Sequence, residues 1–207
     1  MIPVKILASR VIANAAPGLR MGLGAPVGYP ALGLITTDCD DATYIALDAA
    51  TKAADVRVCY ARSLYAGAGN ATTPNAGEVI GVLAGANPET LKSGMEAAIS
   101  TLQRVGFEEV NGVPYLAHTV SSVGAFLAEE AGVRVGTAIA YLIAPPLEAI
   151  YGLDGALKAA DVKLCKLYTP PSETNFGGGL LSGTQSSCQA ACAAFAEAVK
   201  EVAARPK

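Results

Sequence analysis

Residues 46–61 read ALDAATKAADVRVCYA, and residues 152–167 read GLDGALKAADVKLCKL. At an offset of 106, nine of the sixteen positions are identical, among them Leu47/Leu153, Asp48/Asp154, Lys52/Lys158, Asp55/Asp161, Val56/Val162 and Cys59/Cys165. An alanine-rich chain produces alanine matches by chance, but it does not also align Leu, Asp, Lys, Val and Cys in order. The chain carries an internal duplication. A period near 106 is too long for a solenoid and suits a small independent domain, so it means two tandem domains.

The flanks extend the repeat. Upstream, Gly33-Leu34-Ile35-Thr36 aligns with Tyr141-Leu142-Ile143-Ala144, and Ile6–Val11 with Tyr115–Val120, both as apolar strands. Downstream, Val79–Gly85 and Gly179–Gly183 read as glycine-containing strands, followed by helices over Pro88–Leu102 and Thr184–Ala204. Asn87 before Pro88 is a good cap, and Thr184 plays the same part in the second copy. Asp48–Ala54 and Asp154–Ala160 read as short helices with an early acid that suits the dipole. Each copy then runs strand, strand, short helix, strand, strand, long helix: an α+β sandwich with helices on a mixed or antiparallel sheet. The seam falls within Gly106–Val113, giving domains at 1–108 and 109–207.

Composition narrows the function classes. Of 207 residues, 52% are hydrophobic and 16% charged, which excludes a disordered chain. Much of the apolar content is Ala and Gly, and there is no Trp. Such small side chains build flat surfaces that copies can share, and the low charge suggests surface buried against partners. The net charge of −3, with no basic run, argues against nucleic acid. Met1-Ile2-Pro3-Val4-Lys5 has none of the order of a signal peptide, and the most apolar stretch, Val135–Leu147, is too short to span a membrane. The reading is a soluble, cytoplasmic protein with no membrane partner.

Catalysis and metal binding find little support. The five cysteines, an odd number, do not suggest a disulfide framework. Cys188 and Cys192 share a helix face and read as small core hydrophobes. The single histidine, His118, is far from them in sequence and sits in an expected strand, so no metal set forms. Ser63, Ser121, Ser122 and Ser172 lie in no nucleophile motif. Ala66-Gly67-Ala68-Gly69 and Gly177-Gly178-Gly179 fit neither a P-loop nor a dinucleotide fingerprint, so no cofactor is expected and both read as flexible loops.

One stretch differs between the copies. Asp38-Cys39-Asp40-Asp41 is replaced by Pro145-Pro146-Leu147-Glu148 in the second. Three acids in four residues repel one another unless something positive is near. Helix capping, a solvated turn and a cation-binding site all remain open on the residues alone; the spacing does not complete a calcium loop.

The duplicated DAATKAADV and DGALKAADV resemble the signature of bacterial microcompartment shell domains. Over nearly the whole chain, DDATYIALDAATKAADV (40–56), YARSLYAGA (60–68), AGEVIGVLAGANPE (76–89), AYLIAPPLEAIYGLDGALKAADV (140–162) and PPSETNF (170–176) resemble the tandem-domain shell proteins of the ethanolamine-utilization compartment. The resemblance implies two circularly permuted, ferredoxin-like shell domains, a homotrimeric pseudo-hexameric tile with gated pores, and other shell proteins as neighbours. It implies ethanolamine binding by Asp40, with Asp41 alongside, and Glu78, with Phe107 lining the site. It puts Lys52 and Lys158 at tile edges; the residues alone also suit exposed helix lysines. Cobalamin is a candidate cargo or ligand that no residue pattern here specifies. The competing reading is a small-amine-binding sensor domain that does not assemble.

Overall fold

The computed structural model describes residues 1–63, 78–170, 172 and 175–207. The loop Ala66-Gly67-Ala68-Gly69 lies outside them. The chain divides into two compact units. One holds Pro3–Val105 with Gly124–Leu127; the other holds Met1–Ile2, Gly106–Val123 and Ala128–Lys207.

In the first unit the strands are β1 (Ile6–Ile12), β2 (Ala31–Thr37), β3 (Val56–Ser63) and β4 (Val79–Gly85), in the order β1-β2-β4-β3. Every pairing is antiparallel. A short helix α1 (Pro17–Gly22) follows β1, and α2 (Asp40–Ala53) and α3 (Pro88–Leu102) are its longer helices. The central strand β2 buries Leu32 and Ile35, and β4 buries Val82 and Leu83. The helices contribute Leu47, Leu91, Met95 and Ala98 to the core.

The second unit repeats the plan. Strands β5 (Glu108–Val110), β6 (Val113–Val120), β7 (Ala138–Ala144), β8 (Val162–Tyr168) and β9 (Gly177–Gly183) lie in the order β5-β6-β7-β9-β8, again antiparallel. Helix α4 (Ala125–Ala131), whose first three residues belong to the first unit, follows β6, with α5 (Pro146–Ala159) and α6 (Gln185–Ala204) beyond. Strand β7 is buried along its full length, and Phe195 of α6 is fully buried. The hairpin β5–β6 turns at Asn111-Gly112, both with positive φ, as a two-residue turn requires.

The duplicated fragment keeps one irregularity. The β3–β4 register breaks between Val58 and Tyr60, and the β8–β9 register between Leu164 and Lys166. The residues skipped are the repeat-equivalent Cys59 and Cys165. Each thiol turns to a neighbouring acceptor: Cys59 to the Val82 carbonyl at 3.5 Å and Cys165 to Ser182 Oγ at 3.0 Å. These cysteines mark a shared bulge that bends the strand at the same point.

Several expectations change. The helices read as Asp48–Ala54 and Asp154–Ala160 are the C-terminal halves of the fourteen-residue α2 and α5. Helices α1 and α4 were not expected; at six and seven residues they are too short for a periodic apolar face. Register also corrects the flank alignment by one residue. Leu34 pairs with Arg10 as Tyr141 pairs with His118, so Leu34 is the equivalent of Tyr141 and Arg10 of His118. Gly177-Gly178-Gly179 form not a loop but the start of β9, buried and paired with Ala144, Ile143 and Leu142.

Gly178 shows why. Its φ is +154°, and a Cβ there would lie 1.9 Å from the Leu142 carbonyl oxygen and 2.9 Å from Ile143 Cα. Neither backbone atom can yield cheaply. Gly178→Ala is therefore expected to destabilise by at least about 2 kcal/mol, lowering Tm by about 4 °C or more, read by thermal unfolding. An unchanged Tm would contradict this backbone approach.

Candidate functional site

The acids singled out in the sequence open α2. Cys39 is the cap residue but offers no side-chain bond to the helix. Two threonines do that work: Thr37 Oγ1 accepts from the Cys39 N–H at 3.1 Å, and Thr43 Oγ1 donates to the Cys39 carbonyl at 2.8 Å. The two hydroxyls are 2.7 Å apart. This lattice fixes the first turn, where Asp40 and Asp41 meet the positive end of the helix dipole. Asp38 points the other way, accepting from the Lys5 N–H at 2.8 Å.

Asp40, Asp41 and Glu78 are all buried, at 4%, 7% and 9% exposure. Asp40 Oδ2 accepts from Ser63 Oγ at 2.6 Å, and Tyr44 Oη lies 2.5 Å from the same Ser63 oxygen. A carboxylate can only accept, so the Ser63 hydroxyl donates to Asp40 and Tyr44 donates to Ser63. Asp40 Oδ1 accepts from the Asp41 N–H at 2.9 Å. Register draws Glu78 to the same end of the sheet. Val79 pairs with Thr37 on one side and Ser63 on the other, so Glu78 stands one residue beyond the row that carries the Asp40–Ser63 bond.

Asp40 and Asp41 share the buried first turn of α2, and Glu78 follows at the same sheet end; such buried carboxylates suit a small cation with several N–H donors. Ser63 gives its proton to Asp40, and the chain's one histidine stands in β6. Burial, with Asp41, Asp40 and Asp38 nearby, pushes the Cys39 thiol well above its ordinary range, so it stays protonated. Among the described residues, no three His, Cys, Asp or Glu side chains stand together as a metal site.

The remaining sequence-derived residues have these surroundings. Phe107 belongs to the second unit, where it is fully buried with its ring edge on Phe176, centroids 5.7 Å apart. Lys52 bonds Asp48 at 3.3 Å, and Lys158 bonds Asp154 at 2.6 Å, each one helical turn on. The surroundings of these pairs differ. Asp48 is wholly buried, and its carboxylate also accepts from the Gly124 N–H at 2.7 Å and the Leu127 N–H at 2.9 Å. Thr51 Oγ1 accepts from the Ala125 N–H at 3.0 Å. Tyr44 meets Phe126, ring centroids 6.0 Å apart. Asp154 is 59% exposed.

Sequence reasoning missed Ser63 and Tyr44 as partners of Asp40, and Asp48 as an anchor for a segment more than seventy residues away. Local pattern carries no signal for the last. The first had a weak one: Ser63 and Tyr44 are polar positions at element ends beside the acids.

Among the described residues, no helix is long and apolar enough to cross a membrane. The BMC domain family matches residues 31–114. The bacterial microcompartment shell protein EutL of Clostridium perfringens is 53% identical over 210 aligned positions, covering 100% of this chain and 97% of that protein. A crystal structure of EutL from the same organism superposes with a TM-score of 0.93 at 54% identity, covering 99% of this chain and 95% of that one. The ethanolamine utilization protein EutL of Leptotrichia buccalis gives a TM-score of 0.93 at 52% identity, covering 99% and 96%. Its relatives are structural and not enzymes, and with full-length identity of this order the chain belongs to the EutL family of bacterial microcompartment shell proteins.

Proposed function

We propose that this shell protein assembles as a homotrimeric, pseudo-hexameric tile whose pores open and close to small metabolites, and that it binds ethanolamine at Asp40 and Glu78. In this reading the two shell-domain copies are 1–108 and 109–207, and other shell proteins are its neighbours in the facet. The observation that carries the ligand is the asymmetry of the repeat. Buried Asp40 and Asp41 open α2 with Glu78 at the same sheet end of the first copy, Ser63 bonds Asp40 and Tyr44 bonds Ser63, and the second copy has Pro145-Pro146 in place of Cys39 and Asp40.

Ethanolamine is an ammonium with a hydroxyl. Its charge pairs with the carboxylates, and its hydroxyl can exchange donors with groups such as Ser63. A ligand of so few atoms gains at most about 6 kcal/mol, hence a Kd of tens of micromolar at best. That strength suits sensing a passing metabolite. In this proposal Asp41 stands beside Asp40 in the site and Phe107 lines it.

Ethanolamine at a hundredfold excess over Kd should stabilise the protein by about 2.7 kcal/mol, read as a rise in Tm. The Asp40→Asn, Glu78→Gln double variant should lose that rise. An equal rise in the double variant would contradict the site. Retained ligand response without trimers or sheets in electron micrographs would point instead to an amine sensor that does not assemble.

Both Lys52 and Lys158 are proposed to stand at tile edges, and their pairs set different costs on removal. Lys52 supports a buried carboxylate, so Lys52→Ala should cost about 1–3 kcal/mol of stability. Lys158 pairs with an exposed one, so Lys158→Ala should leave stability nearly unchanged while weakening sheets and sparing trimers. Normal sheets from Lys158→Ala would refute the edge role.

A further inference from the structure

Of the chain's asparagines only Asn111 is followed by glycine. The pair is the whole two-residue turn of the β5–β6 hairpin, since Val110 pairs with Val113 across it. Both residues are exposed, and both sit at positive φ, +50° for Asn111 and +79° for Gly112. Asparagine and glycine take this backbone most readily, so the turn itself favours the pair. Nothing lies within 4 Å of where a Gly112 Cβ would stand, so the turn is open on that side.

We propose that Asn111 is a site of spontaneous deamidation, and that the isoaspartate it leaves detaches β5 from the sheet. The Gly112 amide nitrogen attacks the Asn111 side-chain carbonyl carbon. A C–N bond forms there, the bond to the side-chain amide nitrogen breaks, and ammonia leaves with the Gly112 amide proton. Water then opens the cyclic imide at either carbonyl, giving aspartate or isoaspartate. No oxidant, reductant or cofactor takes part. Glycine hinders the attack least because it has no side chain.

The fold sets how fast this happens. In the closed turn the Asn111 amide is aimed at the Ala203 carbonyl, 3.5 Å away, and Tyr115 Oη donates to Glu108 Oε2 at 2.9 Å. Burial, and then the Glu108 carboxylate beside it, push the Tyr115 hydroxyl up to about 12, so this donor keeps its proton. The attacking nitrogen must reach the side-chain carbonyl carbon, and that amide is turned toward α6, so the turn has to open first. Strand β5 has three residues, two of them exposed, and lies at the edge of its sheet. Such an edge opens at low cost. Asp154-Gly155 is the contrasting case: the same glycine follows, but the pair lies inside α5, where the helix fixes the backbone. The turn selects Asn111; the glycine alone does not.

The change runs one way. Isoaspartate adds a carbon to the backbone, so the two-residue turn no longer closes in register. The aspartate product keeps the turn but sets a negative charge against the Ala203 carbonyl, at the negative end of the α6 dipole, where an amide donor stood. Loss of β5 bares the backbone of β6 over Val113–Tyr115, an unpaired edge that another chain can pair with.

The test ages the purified, folded chain in neutral buffer and maps isoaspartate by peptide mass spectrometry and by an isoaspartate-specific methyltransferase, with circular dichroism to confirm the fold. Isoaspartate should accumulate at 111 and not at 154. Asn111→Gly keeps the turn, because glycine takes a φ of +50° freely, and should lose the signal. Tyr115→Phe unties β5 and should raise the rate about threefold or more. The isoaspartate fraction should exchange its amide hydrogens over 113–115 faster than the unmodified chain. A folded chain that stays unmodified at 111 while a peptide spanning 107–116 converts would overturn the site. Isoaspartate at 154 to the same extent, or one rate in wild type and Tyr115→Phe, would overturn turn opening as the selecting step. Equal exchange in the two fractions would overturn the detachment of β5.

Discussion

A single buried carboxylate organises much of this protein. Asp48 is removed from water, which is costly for a charged group unless it is paired and hydrogen-bonded. It is both: Gly124 N–H, Leu127 N–H and the Lys52 ammonium converge on it. Removing any one of them weakens the compensation of a buried charge. That requirement holds a segment distant in sequence in place, demands glycine at 124, and turns an otherwise ordinary helical face of α2 into an interface.

The second copy has the same scaffold and the opposite exposure. Its sheet order, its bulge at Cys165 and its fourteen-residue helix repeat those of the first. Its Asp154 is open where Asp48 is closed. The start of the helix diverges as well: the first copy opens α2 with Asp40 and Asp41, and the second opens α5 with Pro146.

What the sequence could reveal follows from what is local. The helix at Pro88–Leu102 is legible because Asn87 caps it, its side chain accepting from the Thr90 N–H at 2.8 Å, and Thr184 caps α6 through Ser187 in the same way. The repeat is legible because Leu, Asp, Lys, Val and Cys recur in step. Helices α1 and α4 were not, since a helix of six or seven residues has no room for an apolar stripe. The glycines at 177–179 suggested mobility by composition, but close contact with β7 is what requires glycine there. At the site, the acids were legible by their asymmetry between copies. The hydroxyls of Ser63 and Tyr44 were not, because only the sheet register brings them to Asp40. Asp48 and Asp154 looked alike for the same reason: their difference lies wholly in long-range packing.

The most direct measurement is amide hydrogen exchange at residues 124–127, by mass spectrometry, in the wild type and in Asp48→Asn. Gly124 and Leu127 should be strongly protected in the wild type and exchange much faster in the variant. Equal protection in both would show that Asp48 does not hold the segment and would contradict the central place given to this carboxylate.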